Sequence, residues 1–501
     1  MSEKSIIIIG AGLSGLAAGC YARMNGYEAH IFEHHTKPGG VAAAWKRKGF
    51  HIDGGIHFLM GHKPGQSMYE LYRELGTAQV NNFLDLPVYI RFVDQATGRA
   101  ITVTEDLNRL EEEVRDISEV DAPFASNLVS MAKSLGRVDM MKMGLEKPPE
   151  LVRIWDRIRG FWNTGSLSKY MFGKNAGSME AYARGVKDPW VAWVFENLFL
   201  PEVPVWFVGM LLSLIAGRQI GLMEDGSSGF VKPIEERFKN LGGHINYGTT
   251  VEEILVEEDT AVGILLDCGE TYRADAVISA ADGYRTIFKM LGGRYLDQKI
   301  EKRYKEWKLI RPLVMVNFGV DREFEGDPWL TAIKLERPLK EGARSVDSLM
   351  VRLFNYSREF APPGKTVVQA TYETEWEFWR DLHSDRKKYE AEKERISGEI
   401  KDRLESFYPG ISSRIEMTDV ATPHTTWRYT LNHRGAYEGW LPEPRVINTT
   451  IQRTLPGLNN FYMAGQWVMP GGGVPTCIVS GRHVVQILCR QDGKRFTTSL
   501  P

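Results

Sequence analysis

The distribution of apolar positions divides the chain into three strand-rich segments separated by two longer stretches. Ile6–Ile9 is an unbroken β-branched run, as expected of a strand buried on both faces. Leu13–Met24 repeats apolar residues at helical spacing and stops at Asn25-Gly26, a C-terminal signal. Ala29–Glu33 then predicts a second strand, completing a β–α–β unit. Beyond Gly242-Gly243, short strand-like runs recur at His244–Tyr247, Val251–Val256, Ala261–Leu266 and Ala276–Ser279. A third piece reads as a strand at Asn460–Ala464, a glycine-rich turn, and a helix from about Ile478. Leu107–Arg218 reads as mainly helical and Leu309–Trp440 as mixed strands and helices. The pattern predicts one domain assembled from residues 1–80, 225–295 and 445–501, interleaved with a second assembled from 81–224 and 296–444.

The length of 501 residues suits two or more structural units. Lys plus Arg number 62 against 64 Asp plus Glu, so no global field draws nucleic acid, and no nucleic-acid partner is expected. Aromatic residues reach 11%, enough to fill a core or line an apolar cavity. Cys20, Cys268, Cys477 and Cys489 are widely spaced, which argues against a disulfide scaffold or zinc site and suits a reducing cytosol. Only four isoleucines precede Gly10, too few for a secretory signal. The apolar stretch Val203–Gly217 contains Pro204 and Gly209 and falls short of the ~20 residues a spanning helix needs. The expected location is the cytoplasm. Oligomeric state leaves no motif.

Gly10-Ala-Gly12-Leu13-Ser14-Gly15 lies between the first strand and its helix. In that context the spacing is a strong dinucleotide signal. Gly10 allows the tight turn, Gly12 lets backbone approach a diphosphate, and Gly15 lets helix pack on strand. The diphosphate would sit on the helix N-terminus, where free N–H groups and the helix dipole favour an anion. Glu33, at the end of the second strand, is placed to accept hydrogen bonds from an adenosine ribose. Gly39-Gly40 follows closely and suggests FAD rather than NAD, because a longer extended cofactor needs more close backbone approaches.

The run Ile6–His57 resembles the FAD-binding start of the flavin amine-oxidase-like superfamily, specifically its phytoene desaturase-related oxidoreductases. Phe461–Pro475, with Ser480-Gly481-Arg482, is similar to the closing FAD motif of that group. Gly242-Gly243, Val251, Ala274–Asp282, Ala421–Asn432, Gly435–Tyr437 and Gly439-Trp440 match as well. The resemblance implies an α/β fold: a Rossmann-like FAD-binding domain of three layers, with a parallel sheet and a small antiparallel sheet, interleaved with a mixed α+β substrate domain. It implies cofactor contacts from Gly10, Gly12, Leu13, Ser14, Gly15, Glu33, Gly39, Gly40, Val41, Gly55, Ile56, His57, Val251, Gly465, Gln466, Gly473 and Val474. Two positions depart from the pattern. Val41 stands where family members often carry Arg, and Gln466 replaces an acid that many flavoproteins place near the ribityl chain. Gly54–Phe58 looks closer to the retinol-saturase and carotenoid-isomerase branch.

By the same resemblance, the flavin ring lies at the domain junction beneath a long apolar tunnel, and the substrate is a long apolar isoprenoid or polyene. Hydride transfer at flavin N5 then gives desaturation, saturation or isomerisation, and the residues do not choose among these or name an electron acceptor. The alternatives are an amine oxidase, disfavoured by Pro470–Pro475, and a non-catalytic prenyl-lipid carrier of the same fold, disfavoured by the intact glycine turns.

His57 is the one candidate acid–base group, set against the commoner role of a packed histidine. Arg428, beside His424 and Tyr429, could anchor a polar end group or simply tie two elements together. His34-His35 has no further ligands to suggest a metal. Trp190–Gly217, with Trp193, Trp206 and Phe207, could line the cavity or be core. Met131–Lys174, with Met140, Met141, Met143, Trp155, Phe161 and Trp162 among scattered charges, could rest on a membrane surface or be a solvated amphipathic face. Arg386–Arg403 reads as an exposed, salt-bridged helix.

Overall fold

The computed structural model describes residues 3–137, 139, 142, 146–153, 155–156, 170 and 172–501. Met140, Met141, Met143, Phe161 and Trp162 lie outside the described residues. Strand Lys4–Ile9 is the centre of a five-stranded parallel sheet. Tyr27–Glu33 and His244–Tyr247 lie on one side of it, and Ala276–Ser279 and Phe461–Met463 on the other. In register, Ile6 pairs with both Ala29 and Ala276. All three strand-rich segments therefore enter one sheet.

The isoleucine run alternates between two cores. Ile6 and Ile8 pack among Leu16, Ala17, Ile478 and Val484, beneath helices Leu13–Met24 and Gly473–Gln491. Ile7 and Ile9 pack among Ile254, Ile264 and Leu266 of a three-stranded antiparallel sheet, Val251–Glu257, Thr260–Leu266 and Thr271–Arg273. Burial on both faces makes the run continuously apolar, and each fully buried isoleucine contributes about 1.5–3 kcal/mol. The result is the three-layer arrangement expected. The last helix begins at Gly473, ahead of the expected start near Ile478. Pro475 falls in its first turn, where a missing N–H costs nothing, so the proline does not delay the helix.

A seven-stranded sheet forms the second layer system. Its order is Ile415–Ala421, Leu313–Val320, Thr366–Glu373, Arg344–Leu353, Leu330–Glu341, Val88–Asp94 and Ala100–Thr104. Its pairings are antiparallel except that of Leu330–Glu341 with Val88–Asp94. Helix Val205–Ala216 is apolar almost all round and packs with Ala122–Leu135 and Pro189–Glu196 in one cluster. Helix Arg386–Phe407 carries the foreseen charge lattice on one face, and it also buries Tyr389, Ile396, Ile400 and Leu404 against the sheet.

A buried polar node joins the seven-stranded sheet to the hairpin Ala44–Arg47/Phe50–Asp53 and to helix Gly226–Asn240. Asp53, at the end of hairpin Ala44–Arg47/Phe50–Asp53, accepts from the Ser227 amide and hydroxyl, both at 2.6 Å. Its backbone carbonyl accepts from Gln369 at 3.0 Å, and Gln369 also donates to Asn317 at 2.8 Å. Each polar group in the node has a partner, which is the condition for burying it at low cost.

Two glycines give opposite expectations. A Cβ at Gly15 would overlap the Gly10 carbonyl oxygen, so Gly15→Ala should destabilise the fold by about 1–3 kcal/mol or more. A Cβ at Gly398, inside helix Arg386–Phe407, meets nothing within 4 Å, so Gly398→Ala should stabilise by up to about 1 kcal/mol. Thermal unfolding of both variants measures the contrast; shifts of the same sign would contradict it.

Candidate functional site

The chain reverses at Gly10, which has φ +96° and donates its amide to the Phe32 carbonyl at 2.8 Å. Gly12 caps the following helix with no side-chain hydrogen bond, and a Cβ placed on it meets nothing within 4 Å. The amides of the first turn thus face open space across a residue that adds no bulk, which is the condition for anion binding. A second turn closes over the first: Gly39 donates to the Ala11 carbonyl at 2.9 Å, and a Cβ on Gly40 would lie 3.4 Å from Gly12 Cα. Both use φ values open to glycine, +117° and +61°.

Glu33 links these turns to the second strand. One carboxylate oxygen accepts from the Ala11 amide at 2.6 Å and the other from the His35 amide at 2.7 Å. It also lines the cavity. Burial raises its carboxyl above the usual range, opposed by those two amides.

The cavity above the turns has a volume of about 470 Å³. Gly10, Gly12, Leu13, Ser14, Gly39, Gly40, Val41 and Val251 all line it. Gly15 does not, because it is occupied in packing helix on strand. Gly55, Ile56, His57, Gly465, Gln466, Gly473 and Val474 line the same space, so the structure brings the three segments to one wall. Gly465, at φ +100°, donates its amide to the Ser480 hydroxyl oxygen at 2.9 Å.

The segment Gly54–His57 is fixed from two sides. Ile56 donates its amide to Ser227 Oγ at 2.6 Å, and Gly55 donates to Asp53 at 2.9 Å. The Tyr437 hydroxyl reaches the Gly54 and Gly55 carbonyls at 2.7 and 2.6 Å, and its ring stacks on His57 with centroids 5.6 Å apart. Burial, with the Arg352 charge adding to it, pushes His57 down to about 3. The surroundings thus favour the neutral imidazole over the imidazolium.

Glu438 was not among the expected residues. Its carboxyl lines the cavity and lies against Gly472, where any Cβ would overlap it. Burial pushes its pKa up to about 7, opposed only by the Gly473 amide. Asp282, another cavity residue, is pushed up to about 6 by burial although it accepts amides from Arg285 at 2.6 Å and His433 at 2.8 Å. A single glutamate between Tyr437 and Gly439 carries no spacing signal. Its role comes from the glycine turn of residues 471–473, distant in sequence.

Three expected residues are placed differently. Arg428 and Tyr429 sit on helix Pro423–Thr430, with the guanidinium 5.4 Å over the tyrosine ring and Tyr429 41% exposed. Neither lines the cavity; Thr430, Leu431 and Asn432 do, because Leu431 turns left-handed (φ +57°) and redirects the chain inward. Trp206 is core, whereas its neighbour Phe207 faces the cavity, as the ~100° step between adjacent helical residues requires. His34 bonds Thr250 at 2.8 Å and the Arg428 carbonyl at 3.1 Å, tying down that helix. Among the described residues no cluster of His, Cys, Asp and Glu could hold a metal.

The sequence profile of the family described as flavin containing amine oxidoreductase matches residues 13–489. The chain belongs to that family. It is an FAD-dependent oxidoreductase, and the uncapped helix N-terminus beside the open face of Gly12 fits the diphosphate of such a cofactor. Among curated relatives, a chloroplastic prolycopene isomerase from Arabidopsis thaliana is 22% identical over 95% of this chain and 81% of its own. A neurosporene-forming phytoene desaturase from Rhodobacter capsulatus is 24% identical over 96% and 93%. Among solved structures, an oxidoreductase from Methanosarcina mazei superposes with a TM-score of 0.62 at 18% identity, covering 96% of this chain and 100% of that one. Cyclohexylamine oxidase from Brevibacterium oxydans gives 0.60 at 13%, covering 98% and 100%. These structures share the fold of this member of the flavin family.

Two outcomes are expected. Gly12→Val fills the open face of the turn and should yield colourless protein of normal secondary structure; full flavin content, read by absorbance, would contradict the placement. For Glu438, the folded chain binds the proton more tightly than the unfolded one, so its contribution is intact in acid and lost as pH rises from about 4.5 to about 7. The melting temperature of flavin-free Glu438→Gln should therefore exceed that of wild type by more at about pH 8 than at about pH 5. A difference that does not change with pH would refute this.

Proposed function

We propose that this flavoenzyme acts on a long apolar isoprenoid or polyene, exchanging hydride with the cofactor in a desaturation, saturation or isomerisation. The observation that carries the reading is the cavity wall. Beyond the glycine turns it is built by Phe58, Met60, Phe199, Leu200, Phe207 and Met210, with Leu313, Leu431 and Ile447 opposite in sequence. A wall of this kind suits a hydrocarbon chain better than a polar substrate. The full-length likeness to prolycopene isomerase and phytoene desaturases supports the same class.

Bound flavin supplies two-electron hydride chemistry. The chain supplies the rest. Gly10, Gly12 and Ser14 would hold the diphosphate and Glu33 the ribose, with Gly39, Gly40, Val41 and Val251 lining the same part of the cavity. Gly55, Ile56, His57, Gly465, Gln466, Gly473 and Val474 would flank the ring. Asp53, Ser227 and Tyr437 keep the 54–57 segment rigid, so the reacting carbon is held without slack. The apolar residues exclude water. Glu438, protonated up to about pH 7, can hold or release the proton that accompanies a hydride transfer. In this reading residues 1–80, 225–295 and 445–501 bind cofactor, and 81–224 and 296–444 bind substrate.

No described helix is long and apolar enough to cross a membrane. A cytoplasmic enzyme taking its substrate from a membrane surface agrees with the exposure of Trp155 (75%) and Phe172 (69%). The test is anaerobic mixing of the yellow protein with candidate substrates while the flavin band near about 450 nm is followed. Polyenes or isoprenoids in micelles should change the band, and primary amines should leave it untouched. Reduction by amines with no response to polyenes would overturn the reading.

A further inference from the structure

Two arginines, and no lysine, line the cavity among the described residues. They are in opposite electrostatic situations. Arg311 is fully engaged: its Nε donates to Glu373 at 2.5 Å, and both terminal nitrogens donate to Glu202 at 2.8 and 2.7 Å. Arg285 has no carboxylate within ion-pair distance among the described residues. Its Nε is buried without a hydrogen-bond partner, and its Nη2 reaches only the Val251 carbonyl, at 3.4 Å. That distance is at the outer limit of a hydrogen bond.

Asp282 attracts it through space but makes no ion pair with it. Asp282 has both oxygens turned to backbone, one to the Arg285 amide at 2.6 Å and one to the His433 amide at 2.8 Å. Glu33, on the same cavity, is likewise held by two amides. A partly buried guanidinium facing a cavity with no carboxylate at ion-pair distance is costly unless an anion occupies that cavity. Its position indicates which anion. A Cβ on Gly10 would lie 3.4 Å from the Ala280 carbonyl oxygen and 3.6 Å from the Ala281 nitrogen, so the phosphate-binding turn abuts the strand end that leads into Arg285. Arg285, in the helical segment that follows strand Ala276–Ser279, and the uncapped N-terminus at Gly12, which follows the adjoining strand Lys4–Ile9, thus line one cavity.

We propose that Arg285 is a cofactor-positioning residue whose guanidinium pairs with the diphosphate of the bound dinucleotide. A charge-assisted contact of this kind supplies affinity that the neutral amides of Gly12–Ser14 and the apolar Val41 do not. The proposal rests on the family's cofactor and is independent of the substrate.

The experiment titrates flavin-stripped wild type, Arg285→Ala, Arg285→Gln and Arg285→Lys with FAD, ADP and adenosine, following FAD fluorescence quenching and its displacement. Arg285→Ala and Arg285→Gln should bind FAD and ADP about tenfold or more weakly, with adenosine affinity unchanged. Arg285→Lys should recover part of the loss. Added salt should weaken the wild type more than the neutral variants, because it screens one charge pair fewer in them. Circular dichroism selects whichever neutral variant is folded. Unchanged FAD affinity in a folded neutral variant would overturn the proposal. So would an equal loss for adenosine and ADP, which would place the side chain on the nucleoside instead. Neither result bears on polyene chemistry, which the spectral test addresses separately.

Discussion

The site depends on a helix that starts without a cap. Gly12 offers no side-chain oxygen to the first-turn amides of Leu13–Met24, and a Cβ placed on it meets nothing within 4 Å. Unpaired amides at a buried helix end are costly unless a ligand satisfies them. Much of the surrounding structure maintains this opening. Gly10 turns the chain, Gly15 brings the helix down onto it, Glu33 ties the Ala11 amide to the second strand, and Gly39-Gly40 forms the rim. The parallel sheet keeps these parts in register, and its isoleucines are buried on both faces so that the turn emerges from a rigid edge.

The charge distribution follows from the same architecture. The buried carboxyls of Glu33, Asp53 and Asp282 each accept from backbone amides. Glu438 is the extreme, with a single amide and a glycine turn for company, and it retains its proton to about neutrality. His57, in the same wall, is driven the opposite way and is neutral over the physiological range. A carboxylic acid and a neutral imidazole therefore share one cavity, each in the uncharged state that an apolar surrounding favours.

Local patterns were legible in the sequence where local forces decide the outcome. Helix Leu13–Met24 and strands His244–Tyr247 and Ala276–Ser279 occur with the expected bounds, because glycine stops, caps and apolar periodicity define them. The cradle was equally readable, since Gly10, Gly12 and Gly39-Gly40 do their work through backbone conformation. The substrate side was less so. Phe207 and Trp206 are neighbours with the same chemistry, and only the rotation of their helix distinguishes cavity from core. Arg428 and Tyr429 looked like a wall from their family position, but one left-handed residue, Leu431, sends the following backbone inward and leaves them outside. Glu438 gave no local sign, because the glycine turn that shapes its surroundings lies more than thirty residues later.

Gly481 has a consequence for how the molecule assembles. A Cβ there would lie 2.5 Å from the Ser14 carbonyl oxygen and 2.8 Å from the Ala18 nitrogen, so the last helix rests directly on the backbone of the first. During synthesis the opening β–α–β unit leaves the ribosome long before its partner exists. Its isoleucine strand must wait, apolar on both faces, until helix Gly473–Gln491 has been translated. Closing so long a loop is slow, and an exposed strand edge in the interval invites aggregation. Nascent chains of this protein therefore have reason to depend on chaperones, and a ligand present as the final helix docks would trap the assembled state.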